Sequence, residues 1–202
     1  MNIAVVSNRF TIVPDNIFDI KNSRKLLGFN HHLSQDDKEQ VDELKHLGQV
    51  LIYPVSTRIV DLLNDTFKNL SHYNSVTPIL LGKADQKPSQ KLEAVIWKDS
   101  LDIISANNKE VICCNNFGFR LPEDLVYYLT LTIDQLGWDV EQAQISVSGQ
   151  VKETDRNYTQ LGRYLSNVSI KQEITQTILC DELKTVSNSQ HYNLFSLAAC
   201  ES

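Results

Sequence analysis

The succession of β-rich runs and apolar-striped segments between residues 91 and 174 narrows the folds open to this chain more than any other feature. Residues 93–98, 101–106 and 110–115 are three β-rich runs joined by turn residues at Asp99-Ser100 and Asn107-Asn108-Lys109, which predicts an antiparallel meander. A helix is expected next. Pro122 suits its first turn, Glu123 and Asp124 complement the positive end of its dipole, and Gly137 supplies a stop. Leu125, Leu129, Ile133 and Leu136 fall on one face of it. Residues 144–148 then read as a strand ending at Gly149. Asp155 is placed to cap a helix striped by Tyr158, Leu161, Leu165 and Val168, and residues 169–174 alternate as a last strand.

The resulting order, β-β-β-α-β-α-β, is that of a ribonuclease H-like unit, and actin-like ATPases carry two such units around a cleft. The fold class is therefore α/β. The first half shows only the later part of the plan. Residues 3–13 read as a strand, Asp15 as the cap of a helix to about Leu27, and residues 50–55 as a strand. Ile59, Val60, Leu63, Phe67 and Leu70 stripe a second helix, and residues 74–81 read as a closing strand. Aligned on the second half, this repeat opens at its third strand, so its N-terminal β-hairpin is missing. The polar stretch 30–48 fits no element. Residues 82–90, with Gly82, Pro88 and polar neighbours, divide an incomplete first repeat, 1–82, from a second repeat, 91–202, with its C-terminal segment.

Composition excludes several classes. A hydrophobic content of 42% over 202 residues is ample for a core. The net charge of −6, with no basic cluster longer than Arg24-Lys25, gives no footprint for nucleic acid or anionic lipid. The most apolar long stretch, 121–138, contains Glu123, Asp124 and Asp134 and is not a membrane span, and residues 1–9 lack the layout of a secretory signal. A cytoplasmic location is expected. Cys113, Cys114, Cys180 and Cys200 show no C-x-x-C spacing. On a strand, Cys113 and Cys114 point to opposite faces, so no metal site is expected of them.

Several stretches, in order, resemble the bacterial domain-of-unknown-function family 3822, an uncharacterised family with an actin-like ATPase fold. They are Phe10-Thr11-Ile12-Val13-Pro14, Phe29-Asn30-His31, Asn116-Phe117, Pro122-Glu123-Asp124-Leu125-Val126-Tyr127-Tyr128, Gln135-Leu136-Gly137, Ser148-Gly149 and Tyr192-Asn193-Leu194-Phe195. The resemblance implies a longer N-terminus carrying the hairpin that this first half lacks, so DNA upstream of Met1 is expected to encode two more β-rich runs. It implies no activity.

Actin-like ATPases hold phosphates on glycine-rich hairpins, where backbone N–H groups approach without a Cβ in the way. Here the second-half hairpin is Trp97-Lys98-Asp99-Ser100-Leu101-Asp102, without glycine, and the stretch corresponding to that fold's adenosine-contacting strand, which usually ends in paired glycines, reads Val147-Ser148-Gly149-Gln150. None of the seven glycines forms G-x-G, G-G or a P-loop. No catalytic residue, cofactor or metal is assigned. Glu93, Asp99 and Asp102 are the acids a two-metal nuclease would use, but Asp99 reads as a turn residue and Glu93 as the strand's exposed start. His31-His32 reads as a solvated pair. Trp97, Phe117, Phe119 and Tyr128 read as packing, and Tyr127, off the helix's apolar face, as exposed or touching a partner. The leading expectation is a non-catalytic scaffold that binds a protein partner through the cleft or a sheet edge. Self-association through the strand 3–13 or its neighbour is expected as well. The alternative is a small-molecule or nucleotide site in the cleft near Asp99, Ser148, Gly149 and Gln150.

Overall fold

The computed structural model describes residues 2–82, 89–171, 187 and 189–198. The second half forms a five-stranded sheet from β6 (Lys91–Ile96), β7 (Ser100–Ala106), β8 (Val111–Gly118), β9 (Gln144–Gly149) and β10 (Val168–Ile170), in the order β10-β9-β6-β7-β8. β6, β7 and β8 pair antiparallel, as the tight connections at 97–99 and 107–110 require, while β9 runs parallel to β6 and β10 parallel to β9. Each parallel return needs a crossover, and these are α4 (Pro122–Gln135) and α5 (Arg156–Tyr164). α4 starts where Pro122 removes an unneeded N–H and the Asp124 carboxylate accepts from the Arg120 and Leu121 N–H groups. Beyond its last turn Gly137 takes a φ of +66°, which a side chain would resist. Asp155 precedes α5, but its carboxylate accepts from the Lys152 N–H rather than from the helix. Of the expected last strand, 169–174, residues 172–174 lie outside the described residues, as do Cys180 and Cys200.

The first half departs from the sequence reading in five places. The run 3–13 is two strands, β1 (Asn2–Val5) and β2 (Thr11–Pro14), which belong to different sheets. They separate at Ser7, whose hydroxyl accepts from the Arg9 N–H, a local turn that competes with the strand. The expected helix from Asp15 is two short 3-10 turns followed by α1 (Ser23–Gly28), because Phe18 and Asp19 are extended and the Asp19 side chain caps a new start at Lys21. The unassigned polar stretch holds β3 (Asp37–Leu44), which pairs antiparallel with β4 (Gln49–Ser56). The expected strand 74–81 is instead the end of β5 (Ser71–Asn74) followed by α3 (Thr77–Leu81). There Asn74 Oδ1 accepts from the Val76 N–H and Pro78 opens the helix. β2, β4 and β3 form a three-stranded sheet, and β1 and β5 a two-stranded parallel one. Between β4 and β5 runs α2 (Thr57–Thr66), which ends before Phe67 and Leu70 of its expected stripe because Phe67 turns extended.

The helices cover one face of the large sheet. Leu125, Leu129 and Ile133 of α4 and Leu161 of α5 pack with Leu92, Ala94, Ile96, Leu101, Ile103, Ile145 and Val147. Side chains alternate along a strand, so Val95 and Ile104 face the other way. They join Leu44, Leu51, Tyr53, Val76, Ile79 and Leu80 in a cluster drawn from both halves. Fully burying each such side chain contributes about 1.5–3 kcal/mol.

Candidate functional site

Four sequence-predicted residues, Asp99, Ser148, Gly149 and Gln150, lie around one end of the large sheet. The Gln150 N–H donates to the Ile96 carbonyl at 2.7 Å, which ties the end of β9 to the end of β6 where the 97–99 turn begins. Asp99 is exposed in that turn, and its carbonyl accepts from the Phe119 N–H at 3.0 Å. Ser148 and Gly149 are buried, and Gln150 is exposed. Gly149 has a φ of +90°, and a Cβ on it would lie 2.3 Å from the Ile96 carbonyl oxygen. Only glycine fits this packing. Its N–H donates to the Ser189 carbonyl at 2.8 Å. The Gly149 and Gln150 amides are therefore both engaged within the chain.

Two acids weighed as metal ligands have other duties. Asp102 is buried and accepts from Trp97 Nε1 at 2.7 Å and, across the strand pair, from Asn116 Nδ2 at 2.6 Å. Burial raises its pKa, while the bonds from Asn116 and Trp97 oppose the rise. Glu93 is not exposed as the sequence suggested. It is buried and ion-paired with Lys171, whose ammonium sits 3.9 Å from the centre of the Tyr192 ring. A buried carboxylate needs such a partner, and a desolvated ammonium over a ring gains a cation–π contact. Tyr192 belongs to α6 (Tyr192–Ser196), which crosses between the halves: Tyr192 sits in the shared cluster and Asn193 Nδ2 donates to the Ser75 carbonyl at 3.1 Å.

A third polar centre, in the first half, was not foreseen from the sequence. Asp42, 4% exposed, accepts from the Asn74 N–H at 2.7 Å, Thr77 Oγ1 at 2.5 Å and Tyr53 Oη at 3.2 Å. Burial pushes its carboxyl up to about 6 against the pull of these bonds. The three donors come from β4, the end of β5 and the start of α3, so the carboxylate fastens β3 to all three. Arg9 forms a two-pronged pair with Asp37, at 2.7 and 3.0 Å, and holds its carboxyl well below the usual range. Arg9 also donates to the His32 carbonyl, and His31 Nε2 lies 2.8 Å from the Phe10 carbonyl. His31 is thus a loop anchor rather than a solvated histidine. Among the described residues no group of three His, Cys, Asp or Glu side chains is placed to hold a metal ion, and no helix is long and apolar enough to cross a membrane.

Residues 1–168 match the family described as protein of unknown function DUF3822. The chain belongs to this family. A protein of actin-like ATPase fold and unknown function from Bacteroides thetaiotaomicron superposes on this DUF3822 chain with a TM-score of 0.79 at 20% identity, covering 98% of this chain and 73% of that one. The likeness gives the fold. An AlfA filament bound to AMPPNP (TM-score 0.41, 12% identity, 76% of this chain and 50% of that one) is more distant. So is the cytoplasmic domain of EpsL, an inner-membrane component of the type II secretion system of Vibrio cholerae (0.43, 11%, 100% and 74%). No curated protein matches the DUF3822 chain.

The aromatic residues of this DUF3822 member divide as their sequence positions suggested. Phe117 stacks on Tyr128 with centroids 4.5 Å apart, Phe119 is buried, and Tyr127 is 61% exposed. What sequence reasoning missed are contacts between residues far apart in the chain. Asp42 with Thr77, Glu93 with Lys171 and Gly149 with Ser189 depend on topology, and spacing along the sequence carries no signal for them.

Proposed function

We propose that this chain is a non-catalytic binding or scaffold protein of the actin-like fold, acting in the cytoplasm and engaging a protein partner through the interdomain cleft or an exposed sheet edge. Its architecture on this reading is two ribonuclease H-like repeats, the first lacking its N-terminal β-hairpin. The strand order β10-β9-β6-β7-β8 of the second half and the parallel β1–β5 pair of the first support that description.

One observation carries the functional reading: the Gly149 and Gln150 N–H groups already donate to Ser189 and Ile96. A triphosphate needs free N–H donors, a cation or a metal held by carboxylates. The Gly149 and Gln150 donors are spent, and the hairpin turn, where actin-like ATPases hold phosphate, carries Asp99 and no glycine, so its charge repels phosphate unless a magnesium ion bridges them. Isothermal titration of the full chain with ATP and magnesium is expected to give no saturable heat. A dissociation constant below about 1 mM, roughly −4.1 kcal/mol, overturns the non-catalytic reading and puts a small-molecule or nucleotide site in the cleft first.

A further inference from the structure

We propose that the free edge of β1, together with the bare side of α2 beside it, is a homodimer contact on which a second copy of this chain lays its own β1 antiparallel. The inference rests on the protein-binding reading above and names the occupant of the edge. The second half of the chain shows how such surfaces are covered. β9 is bonded on both sides, to β10 and to β6, whereas among the described strands β1 is bonded only to β5. The two parallel pairs are built alike: the Val5 carbonyl accepts from the Ser75 N–H as the Val147 carbonyl accepts from the Lys171 N–H, so β1, α2 and β5 match β9, α5 and β10. The helices also end alike. The Phe67 N–H donates to the Leu63 carbonyl and the Leu165 N–H to the Leu161 carbonyl, which sets Arg58 and Leu62 of α2 against Arg156 and Gln160 of α5. Arg156 pairs with Glu123 of α4 at 3.6 Å, and Gln160, one turn further on, is buried. That side of α5 is the one α4 covers. On α2 the same side is bare, with Leu62 and Ile59 exposed.

Alternate residues of a strand bond to one neighbour. Val5, and with it Ile3, bonds to β5, so the backbone N–H and C=O of Asn2 and Ala4 point away from it, and among the described residues no hydrogen bond meets them. Open edges are ordinarily guarded by charge or proline. β3 is charged and β2 ends in Pro14, but β1 reads Asn-Ile-Ala-Val. In the antiparallel register that sets Asn2 against the second copy's Ala4, outward backbone faces outward backbone in both pairs, and Ile3 meets its own equivalent on the two-fold axis. That axis stands perpendicular to the sheet, so both α2 helices lie on one face of a continuous β5-β1-β1-β5 sheet. They are then about two strand spacings apart, roughly 9.6 Å, which falls within the roughly 8–10 Å of packed helices. They also run antiparallel. Arg58, Leu62 and Asp65 share the bare side of α2, with exposed Arg58 in its first turn and exposed Asp65 in its last. An antiparallel copy therefore brings Leu62 towards its own equivalent and sets each Arg58 beside the other chain's Asp65. This charge complementarity is what selects a second copy. The pair Arg58 now makes, with Asp36 at 3.6 Å, is exposed on both sides and weak enough to give up. A two-fold contact of this kind is closed, so it gives a dimer rather than a fibre.

Analytical ultracentrifugation of the full chain over a concentration series is expected to show a monomer–dimer equilibrium. Arg58→Asp and Asp65→Arg, each setting like charges beside one another twice, are expected to weaken it about tenfold. The double variant R58D/D65R restores the pairing and the parent affinity. Leu62→Lys, which places two ammonium groups at the helix seam, is expected to weaken it at least as much. All three side chains are exposed, and circular dichroism melts of the variants in dilute solution are expected to match the parent. Ile3→Cys is expected to form an interchain disulfide under mild oxidation, found by mass spectrometry as a link between position 3 of one chain and position 3 of the other. A chain that stays monomeric at about 100 μM, far above the dissociation constants of specific dimers, overturns the proposal. So does a dimer indifferent to the Arg58 and Asp65 reversals, or one in which the Ile3→Cys variant forms no such link. These outcomes leave the non-catalytic reading standing, since that reading falls on ATP binding and not on oligomeric state.

Discussion

Gly149 shows how a residue can look like part of a ligand site in the sequence and prove to be a packing residue. A serine-glycine pair at a strand end suggests backbone held ready for a nucleotide's adenosine. The structure instead uses the missing Cβ to bring the Ile96 carbonyl close and to reach a φ of +90°. Gly149→Ala therefore combines a 2.3 Å clash with backbone and a disfavoured conformation. A loss of about 3 kcal/mol is expected, read as a lower urea midpoint, and an unchanged midpoint contradicts this account. Asp42 makes a prediction in pH. Its folded-state carboxyl, pushed up to about 6, binds a proton more tightly than an ordinary aspartate at about 3.9. The folded state then holds the extra proton between these values, so stability falls as pH rises from about 4 to 6, by roughly 3 kcal/mol at most. Asp102, raised for the same reason, adds a slope of the same sign. Asp37, held low by Arg9, acts only below the usual carboxylate range and with the opposite sign, its stabilisation disappearing as pH falls. Urea unfolding between pH 4 and 7 is expected to show the decline, and Asp42→Asn to reduce it. A slope unchanged in Asp42→Asn excludes the carboxylate as its source. Neither the duty of Gly149 nor that of Asp42 was legible in the sequence, because both are set by partners supplied from distant strands.

Among the elements, those whose signals are local were read well. The turn residues at Asp99-Ser100 predicted an antiparallel neighbour, and Pro122, Asp124 and Gly137 marked both ends of α4. Reading failed where an apolar run continued through a side-chain turn. Asn74 to Leu81 looks like one strand until Asn74 Oδ1 accepts from the Val76 N–H and Pro78 begins a helix. It failed also where polarity hid a strand, since β3 is an edge strand with Lys38 and Glu43 exposed and with two carboxylates, Asp37 and Asp42, buried alongside Leu44. α2 is a mixed case. Its apolar residues do recur at helical spacing, yet Val60 is buried while Ile59 and Leu62 are 52% and 66% exposed. Burial, not membership of the stripe, sets the energetic cost. Val60→Ala is expected to lose about 2 kcal/mol and Leu62→Lys to stay within about 0.5 kcal/mol. Equal losses in chemical denaturation mean that α2 packs by its other face.

Taken whole, the molecule is organised by the two faces of the five-stranded sheet, and that much followed from the order of elements in the second half. The helices claim one face, and the other is buried under the first half, with Val95, Ile104 and Tyr192 meeting Leu51, Tyr53, Val76, Ile79 and Leu80. The apparent linker at 82–90 held no hint of this shared core, because a polar connection says nothing about what the segments on either side of it bury together. The energetic consequence is coupling: separating the halves exposes side chains that are 0% accessible on both sides, among them Val95, Ile104, Leu51 and Ile79. At about 25 cal/mol per Å² of apolar surface, such exposure costs several kcal/mol, comparable with the whole stability of an ordinary domain. The two tryptophans are placed to test it. Trp97 packs against the shared cluster and Trp138 against the cluster under the helices. Fluorescence of Trp138→Phe, which leaves Trp97, and of Trp97→Phe, which leaves Trp138, thus reports on the two sides of the sheet separately. Because Trp97 Nε1 donates to buried Asp102, the second variant is expected to be less stable by about 1–3 kcal/mol. Within each variant, however, the fluorescence transition is expected to coincide with the loss of far-ultraviolet circular dichroism in urea, as one cooperative step. A Trp97 signal that changes at lower urea than the circular dichroism of the same variant means that the first half leaves the sheet before the second half unfolds, and that the shared cluster is too weak to make the two halves one folding unit.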